Sequence, residues 1–485
     1  MPLYHTGPAR DRAASARAPR GRSLLKAGAK AGVKAGSLFV ALVAGVACNP
    51  ANALKIPQPD NVNAATVNSI TALPALLAGT QSAFQIAYSG AGDETNGGHE
   101  GYINLTGLFT DEMESMETFP TRESIDGRVA APSNFTLKGY FIDLASARAI
   151  ADKTDGLYNQ FAPDSVGHGV ALAVGGYTYL LFAEAYCEGV PISTLASNGS
   201  ITYGQPTTRE QLLQIAVARF DSAITIATAS QDSATINLAR VGLGRALLDS
   251  NDYADAATAV AAVPVSFVYD IGASTNSAVE NNGIWQYTFG ELGFSVSDSE
   301  GTNGLAFYDS LVGHPGHPAA QDPRVPSVNT GGTGVDMTVG PFIQQLLYPT
   351  QSTPIPLATG IEAQLIIAEN QLKTSGFAGA NPPYLATLNA LRASQVAGLS
   401  PLAAPGTLAG AQLLLFHERA FWMYLTGHRL GDLRRLIRQY GFTAQQVFPI
   451  GVDVNGDPYG PDVNFSISED EDNNPNFHGC TNRNA

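Results

Sequence analysis

The stretch FHERAFWMYLTGHRLGDLRRLIRQY, residues Phe416–Tyr440, combines a helical apolar rhythm with charges that an ordinary core helix avoids. Leu414, Leu415, Phe421, Trp422, Leu425, Leu433, Leu436 and Ile437 recur at helical spacings, so one face asks for burial. Gly427 should break the run into two segments with His428 at the joint. Glu418, Arg419, Arg429, Asp432 and Arg434 sit among the apolar positions, and Arg429 and Asp432 are three apart, within reach of each other. Two readings are open. The charges form a solvated stripe, or they form a buried ion-pair knot in which guanidinium forks satisfy carboxylates and loop carbonyls while a helix crosses the core. The second reading makes all five charged residues structural.

The rest of the chain supplies what such a helix would cross. At 485 residues it can bury a large core. Only 14% of residues are charged, while Gly (50) and Pro (29) are abundant, so long loops should decorate the regular elements. The formal charge is −15; residues 1–47 hold eight Lys/Arg and one Asp, leaving 19 Lys/Arg against 41 Asp/Glu beyond them. A surface that acidic repels phosphate backbones, so nucleic acid is a poor partner.

Residues 1–47 read as an export signal: an Arg/Lys-rich start leads to SLFVALVAGVA, too short to span a bilayer. Cys48 follows small residues, as at a bacterial lipobox, where the cysteine is acylated and anchors the mature chain to a membrane without spanning it. Cys187 and Cys480 are the remaining cysteines, and in an exported protein they are either one disulfide or two separate thiols.

Helices are predicted over 61–88, with a joint near Pro74, over 135–161, 168–186, 209–229 and 237–263, the last turning at Ser250-Asn251-Asp252, and over 362–372 and 388–393. Ala75, Ala78, Gly79 and Ser82 form a small-residue face suited to close helix packing. The apolar segment 168–186 carries Gly175-Gly176 and Glu184, which favour a core helix over a membrane span. Gly242, Ala246, Tyr253 and Ala257 fall where a tetratricopeptide-like hairpin places small residues and a Tyr; 135–186 and 361–395 are candidates for further hairpins stacked on it. Residues 90–102 and 105–128 read as loop, with Asp111, Glu112, Glu114 and Glu117 as carboxylates that cap helices. Residues 264–356 change character to Gly, Pro, Asn and Thr with strand-like runs such as Ile284–Phe289, and irregular insertions of that length tend to be functional.

No nucleophile elbow, zinc-protease pair, phosphate loop or dinucleotide fingerprint occurs, and no cofactor is indicated. His314 and His317 lack partners at metal-ligand spacing, and the run Asp453–Asp457 has Pro458 and Asn464 where a calcium loop needs Gly and Glu.

The order of several short motifs resembles the SusD/RagB family of nutrient-binding lipoproteins. They are the lipoprotein start, the aromatic helix running into Val190-Pro191, the helical hairpin, the E-x-x-LIIAE run from Glu362, LNALRA (Leu388–Ala393), and Glu418-Arg419 followed by Gly427-His428-Arg429 and Asp432–Arg435. The Asn473–Asn476 ending completes the set, and the resemblance covers nearly all of 48–485. It implies an all-α scaffold of tetratricopeptide-like hairpins (60–263 and 357–445) carrying a loop-rich cap with little β structure (264–356) and an acidic tail (446–485). The implied role is non-enzymatic. An outer-membrane, outward-facing lipoprotein captures an oligosaccharide or peptide and passes it to a TonB-dependent, SusC-like transporter. Tyr88, Tyr102, Asn104, Trp285, Tyr287 and Tyr308, on the segments 88–104 and 284–308, are the expected ligand-binding residues, since aromatic faces stack on sugar rings and amides bond to hydroxyls. Two alternatives stand beside this reading. One is a secreted glycoside hydrolase whose carboxylates converge from 105–128. The other is a scaffold that holds a partner peptide in a groove lined by 209–263.

Overall fold

A computed structural model describes residues 68–92, 99–196 and 200–485; the export signal and Cys48 lie outside them. The architecture is all-α. Helices α1 (Leu73–Ser89), α2 (Gly101–Phe109), α3 (Pro120–Asp126), α4 (Phe135–Phe161) and α5 (Val166–Ala185) come first. Helices α6 (Arg209–Ala229), α7 (Ser233–Asp249) and α8 (Tyr253–Val260) follow. After the insertion, which holds the short α9 (Gly283–Trp285), come α10 (Gly360–Ser375), α11 (Pro383–Ser394), α12 (Leu408–Trp422) and α13 (Arg429–Tyr440).

The hairpins stack as successive pairs: α4 packs on α5, α5 on α6, α6 on α7, α7 on α8, α8 on α10 and α10 on α11. Caps set the starts. Thr208 and Gln211 form a reciprocal capping box on α6, and Asp252 accepts from Asp255 N to start α8 at the predicted turn. Gly242 has a packing reason: a Cβ there would lie 2.5 Å from the Phe220 ring, which meets Tyr177 edge-on at 5.0 Å between centroids. Helix α5 is buried along nearly its whole length, which confirms it as the central core helix.

All strands among the described residues are short and pair in twos. Met113–Ser115 pairs with Phe294–Val296, Val268–Ile271 with Ile355–Thr359, and Ser327–Asn329 with Ile343–Gln345. Each ladder stitches the insertion to itself or to the helical frame. Cys187 and Cys480 are bonded, which settles the two alternatives left by the sequence. The tail is also hydrogen-bonded there, Glu188 N to Asn482 O (3.0 Å) and Thr481 N to Glu188 O (2.8 Å).

Several expectations are corrected. The predicted loop at 90–102 ends in a helix, because Gly90 and Gly101, both at positive φ, let two backbones cross; a Cβ on Gly101 would sit 2.1 Å from Gly90 N. The strand-like run Ile284–Phe289 is helical, started by the Asn282 side chain accepting from Trp285 N (3.0 Å). Ala75, Ala78, Gly79 and Ser82 are exposed among the described residues rather than buried against a neighbouring helix. Asp111, Glu112, Glu114 and Glu117 cap nothing; all four are buried.

The charges of the signature stretch form the buried knot. Helix α12 ends at Trp422, a turn with Leu425 and Gly427 at positive φ comes next, and α13 starts after His428, as the glycine suggested. Arg419 forks onto Asp432 (2.8 and 3.0 Å), and Arg435 reaches Asp432 (2.7 Å) and Glu369 (2.5 and 3.1 Å). Glu418 holds Arg324 (2.9 Å) from the insertion and Arg392 (2.7 Å) from α11. Two details differ from expectation. Arg429 forks onto Asp111 (2.7 and 2.8 Å), not Asp432, because the bend at Gly427 turns it toward the end of α2. Among the described residues Arg434 pairs with no carboxylate; it donates to Ala183 O and Glu184 O (3.2 and 2.5 Å) and closes the end of α5.

Removing one partner from such a knot strands a buried charge, so Asp432→Asn should cost about 3–5 kcal/mol, read as a lower urea midpoint. Reducing the Cys187–Cys480 bond should cost roughly 2–5 kcal/mol, and hydrogen exchange at Thr481 and Asn482 should rise well before exchange in α5 does.

Candidate ligand-binding surface

Four of the six expected ligand residues are core residues. Tyr88 is fully buried, and its hydroxyl donates to Thr426 O (2.9 Å) and Pro356 O (3.1 Å). The Tyr102 hydroxyl donates to Glu184 Oε2 (3.0 Å). Asn104 donates to Glu100 O (2.5 Å) within α2, which is buried on all sides. Tyr287 stacks on Phe294 at 5.1 Å, with the Arg122 guanidinium 4.7 Å over its ring. These rings fasten loops to helices, so they cannot stack on a ligand. Trp285 and Tyr308 remain half-exposed. No ring contact joins those two among the described residues.

The carboxylates of 105–128 are equally enclosed. Glu117 pairs with Arg122 (2.8 Å), Glu112 accepts from Leu425 N (3.1 Å), and Glu114 accepts from Ser295 Oγ (3.3 Å). Burial pushes Glu112 and Glu114 up to about 8, with no basic partner bonded to either. These groups are withdrawn from the surface. They have a thermodynamic consequence instead. Between pH about 4.5 and 8 the unfolded chain releases these protons while the folded chain keeps them, so stability falls as pH rises through that window and levels off above it. Denaturant midpoints should be higher at pH 5.5 than at pH 8, and Glu112→Gln should flatten the dependence. Asp432, held far below the usual carboxylate range against its own burial by Arg419 and Arg435, stabilises the fold throughout that window and loses its contribution only as the solution becomes strongly acid.

An open site lies where the insertion crosses the exposed small-residue face of α1. A cleft of about 600 Å³ has Ala78, Gly79 and Ser82 from the helix on one side, with Gln81 and Gln85 beside them. Asp270, Ser274 and Glu280 supply the opposite rim. A Cβ on Gly79 would meet nothing within 4 Å, so that wall is bare. Gln85 Nε2 donates to Gly90 O (2.9 Å) and Asn281 O (3.1 Å), which fixes the rim against the helix one residue before the cap of α9 and four before Trp285. The Ser274 hydroxyl donates to Glu280, and burial raises Asp270 above its usual value. Amides, a hydroxyl and carboxylates on small-residue walls offer many hydrogen bonds and little bulk. The two acids repel anions, so the site suits a neutral polyhydroxyl ligand. Aromatic residues drew attention elsewhere in the sequence; the available signal was Gln81 and Gln85, four apart beside small residues that no neighbouring helix covers.

No protein-family model matches this chain, and no curated protein sequence matches it. Solved structures do. A SusD-like carbohydrate-binding protein from Bacteroides fragilis aligns with 85% of this chain and 99% of its own at 15% identity, with a TM-score of 0.63. Surface glycan-binding protein A from Bacteroides uniformis aligns over 85% and 99% at 12% identity (TM-score 0.60), and a SusD/RagB family protein from Bacteroides thetaiotaomicron over 83% and 94% at 14% (TM-score 0.56). The class defined by this scaffold is a tetratricopeptide-like helical frame with a loop-built cap. Its particular form is the SusD/RagB fold, in agreement with the resemblance in the sequence.

Proposed function

We propose that this protein binds an oligosaccharide outside the cell and delivers it, without bond-making, to a TonB-dependent, SusC-like transporter in the outer membrane, tethered there through an acylated Cys48. The observation that carries the reading is the cleft between α1 and the insertion, set on a fold whose solved examples include proteins described as carbohydrate- and surface glycan-binding. Its polar rim is fixed to the frame by Gln85, so binding needs little reordering. Trp285 and Tyr308, both half-exposed, are the aromatic residues from the expected set that remain available to stack on a sugar. An oligosaccharide is favoured over a peptide in this cleft because its rim carries hydroxyl, amide and carboxylate groups suited to sugar hydroxyls.

Calorimetric titration with neutral oligosaccharides should give saturable binding. Glu280→Gln or Gln81→Ala should weaken it by roughly tenfold, the scale of one or two lost hydrogen bonds, with the melting temperature unchanged. Binding that survives both substitutions and Trp285→Ala would move the site off this face. For the anchor, Cys48→Ala should shift the protein from the membrane fraction to the soluble fraction. Transporter delivery predicts a β-barrel partner co-purifying from outer membranes.

A further inference from the structure

A groove of about 760 Å³ lies away from the insertion, between the start of α6, the α7–α8 turn and the last residues of α13. Arg438 and Gln439 reach it from α13, Arg209 from α6 and Asp249 from the turn. Gln439 is fixed: it donates to Leu248 O (2.9 Å) and accepts from the Tyr253 hydroxyl (3.0 Å). Arg209 donates to Asp249 O (2.8 Å) and pairs with the exposed Glu210.

Positive charge is in excess at the inner end. Arg434, Arg435, Arg438 and Arg209 gather around Asp249. Arg435 is already satisfied by Glu369 and Asp432, and it also lies 3.5 Å from Asp249. Arg434 spends its bonds on carbonyls. Arg438 reaches Asp249 only at 3.9 Å, and its buried Nε has no hydrogen-bond partner. Burial, with Arg434 and Arg209 adding repulsion, lowers Arg438 to about 9, which is how a guanidinium short of counter-charge behaves. The mouth is the opposite: Glu210, Asp221 and Asp252 line it. In a chain of net charge −15, an inward-facing arginine pair behind an acidic rim selects a ligand of mixed charge.

We propose that this groove is a second binding site, separate from the glycan cleft, which takes a single carboxylate on a small ligand. The carboxylate sits between Arg438 and Arg209, and ammonium or hydroxyl groups point back to Asp221 and Asp252. The carboxylate supplies the counter-charge that Asp249, 3.9 Å from Arg438, gives only weakly, and a guanidinium–carboxylate bond is the strongest such contact available. Polyanions are excluded by the acidic mouth.

The test uses matched probes titrated into the purified protein: glycyl-lysine against glycyl-lysinamide, and glucuronate against glucose. In at least one pair the acid should bind saturably and its neutral counterpart at least about tenfold more weakly, the scale of one charge-assisted hydrogen bond. Preference within the first pair assigns the site to a peptide end, and within the second to an acidic sugar; both support the proposal. Arg438→Gln should abolish the preference and leave oligosaccharide binding at the other cleft unchanged. Should that variant fail to fold, Arg209→Gln carries the same test from the partly exposed end of α6. Acid and neutral probes binding alike, no acid binding at all, or a preference that persists in both variants would overturn it.

Discussion

The turn between α12 and α13 governs this structure through charges that water cannot reach. Backbone carbonyls of residues 425–427 accept from Tyr348, Tyr88 and Arg245, and Leu425 N donates to Glu112. On either side of it, Glu418, Arg419, Arg429, Asp432 and Arg435 bind partners drawn from the turn after α2, from α10, α11 and the insertion, and from each other. Buried ion pairs add little net stability compared with apolar packing, but they strongly penalise any arrangement that leaves one of them unpaired. The knot therefore acts on specificity. It defines one way for six distant segments to meet.

That constraint explains how an insertion with so few regular elements holds its place. Arg324 is the insertion's own contribution to the knot, and it lies over the Phe421 and Trp422 rings at 5.0 and 5.1 Å while it bonds Glu418. Phe307 packs on Phe421 and Tyr424 at 4.9 and 4.8 Å. The short ladders then need only fix local register. Phe307 and Tyr287 of the cap are consumed in this anchoring, while Trp285 and Tyr308 keep part of their surface exposed.

The two clefts differ in chemistry as they differ in origin. One is made where the insertion rests on a bare helix face, and it presents amides and acids. The other belongs to the helical frame and has arginine behind an acidic mouth. A frame rigid enough to carry the first is also rigid enough to hold under-paired guanidinium groups in the second, because α13 is tied down by the knot.

Local signals in the sequence determined the helices. The ranges 135–161 and 209–229 match the structure end to end, since caps at Asn134 and Thr208 and an apolar repeat are properties of neighbouring residues. Burial of the charges around Gly427 stood as one of two open readings, while the break there was legible for the same reason. Partnership was not. Arg429 chooses Asp111 over Asp432, Arg434 takes carbonyls, and Tyr88 and Tyr102 turn inward, because each choice depends on groups tens to hundreds of residues away. Composition fixed a helical, acidic protein with loops. Tertiary structure alone decided which polar groups lost their water and which kept it, because burial is set by the groups that pack on a residue in space and not by its neighbours along the chain.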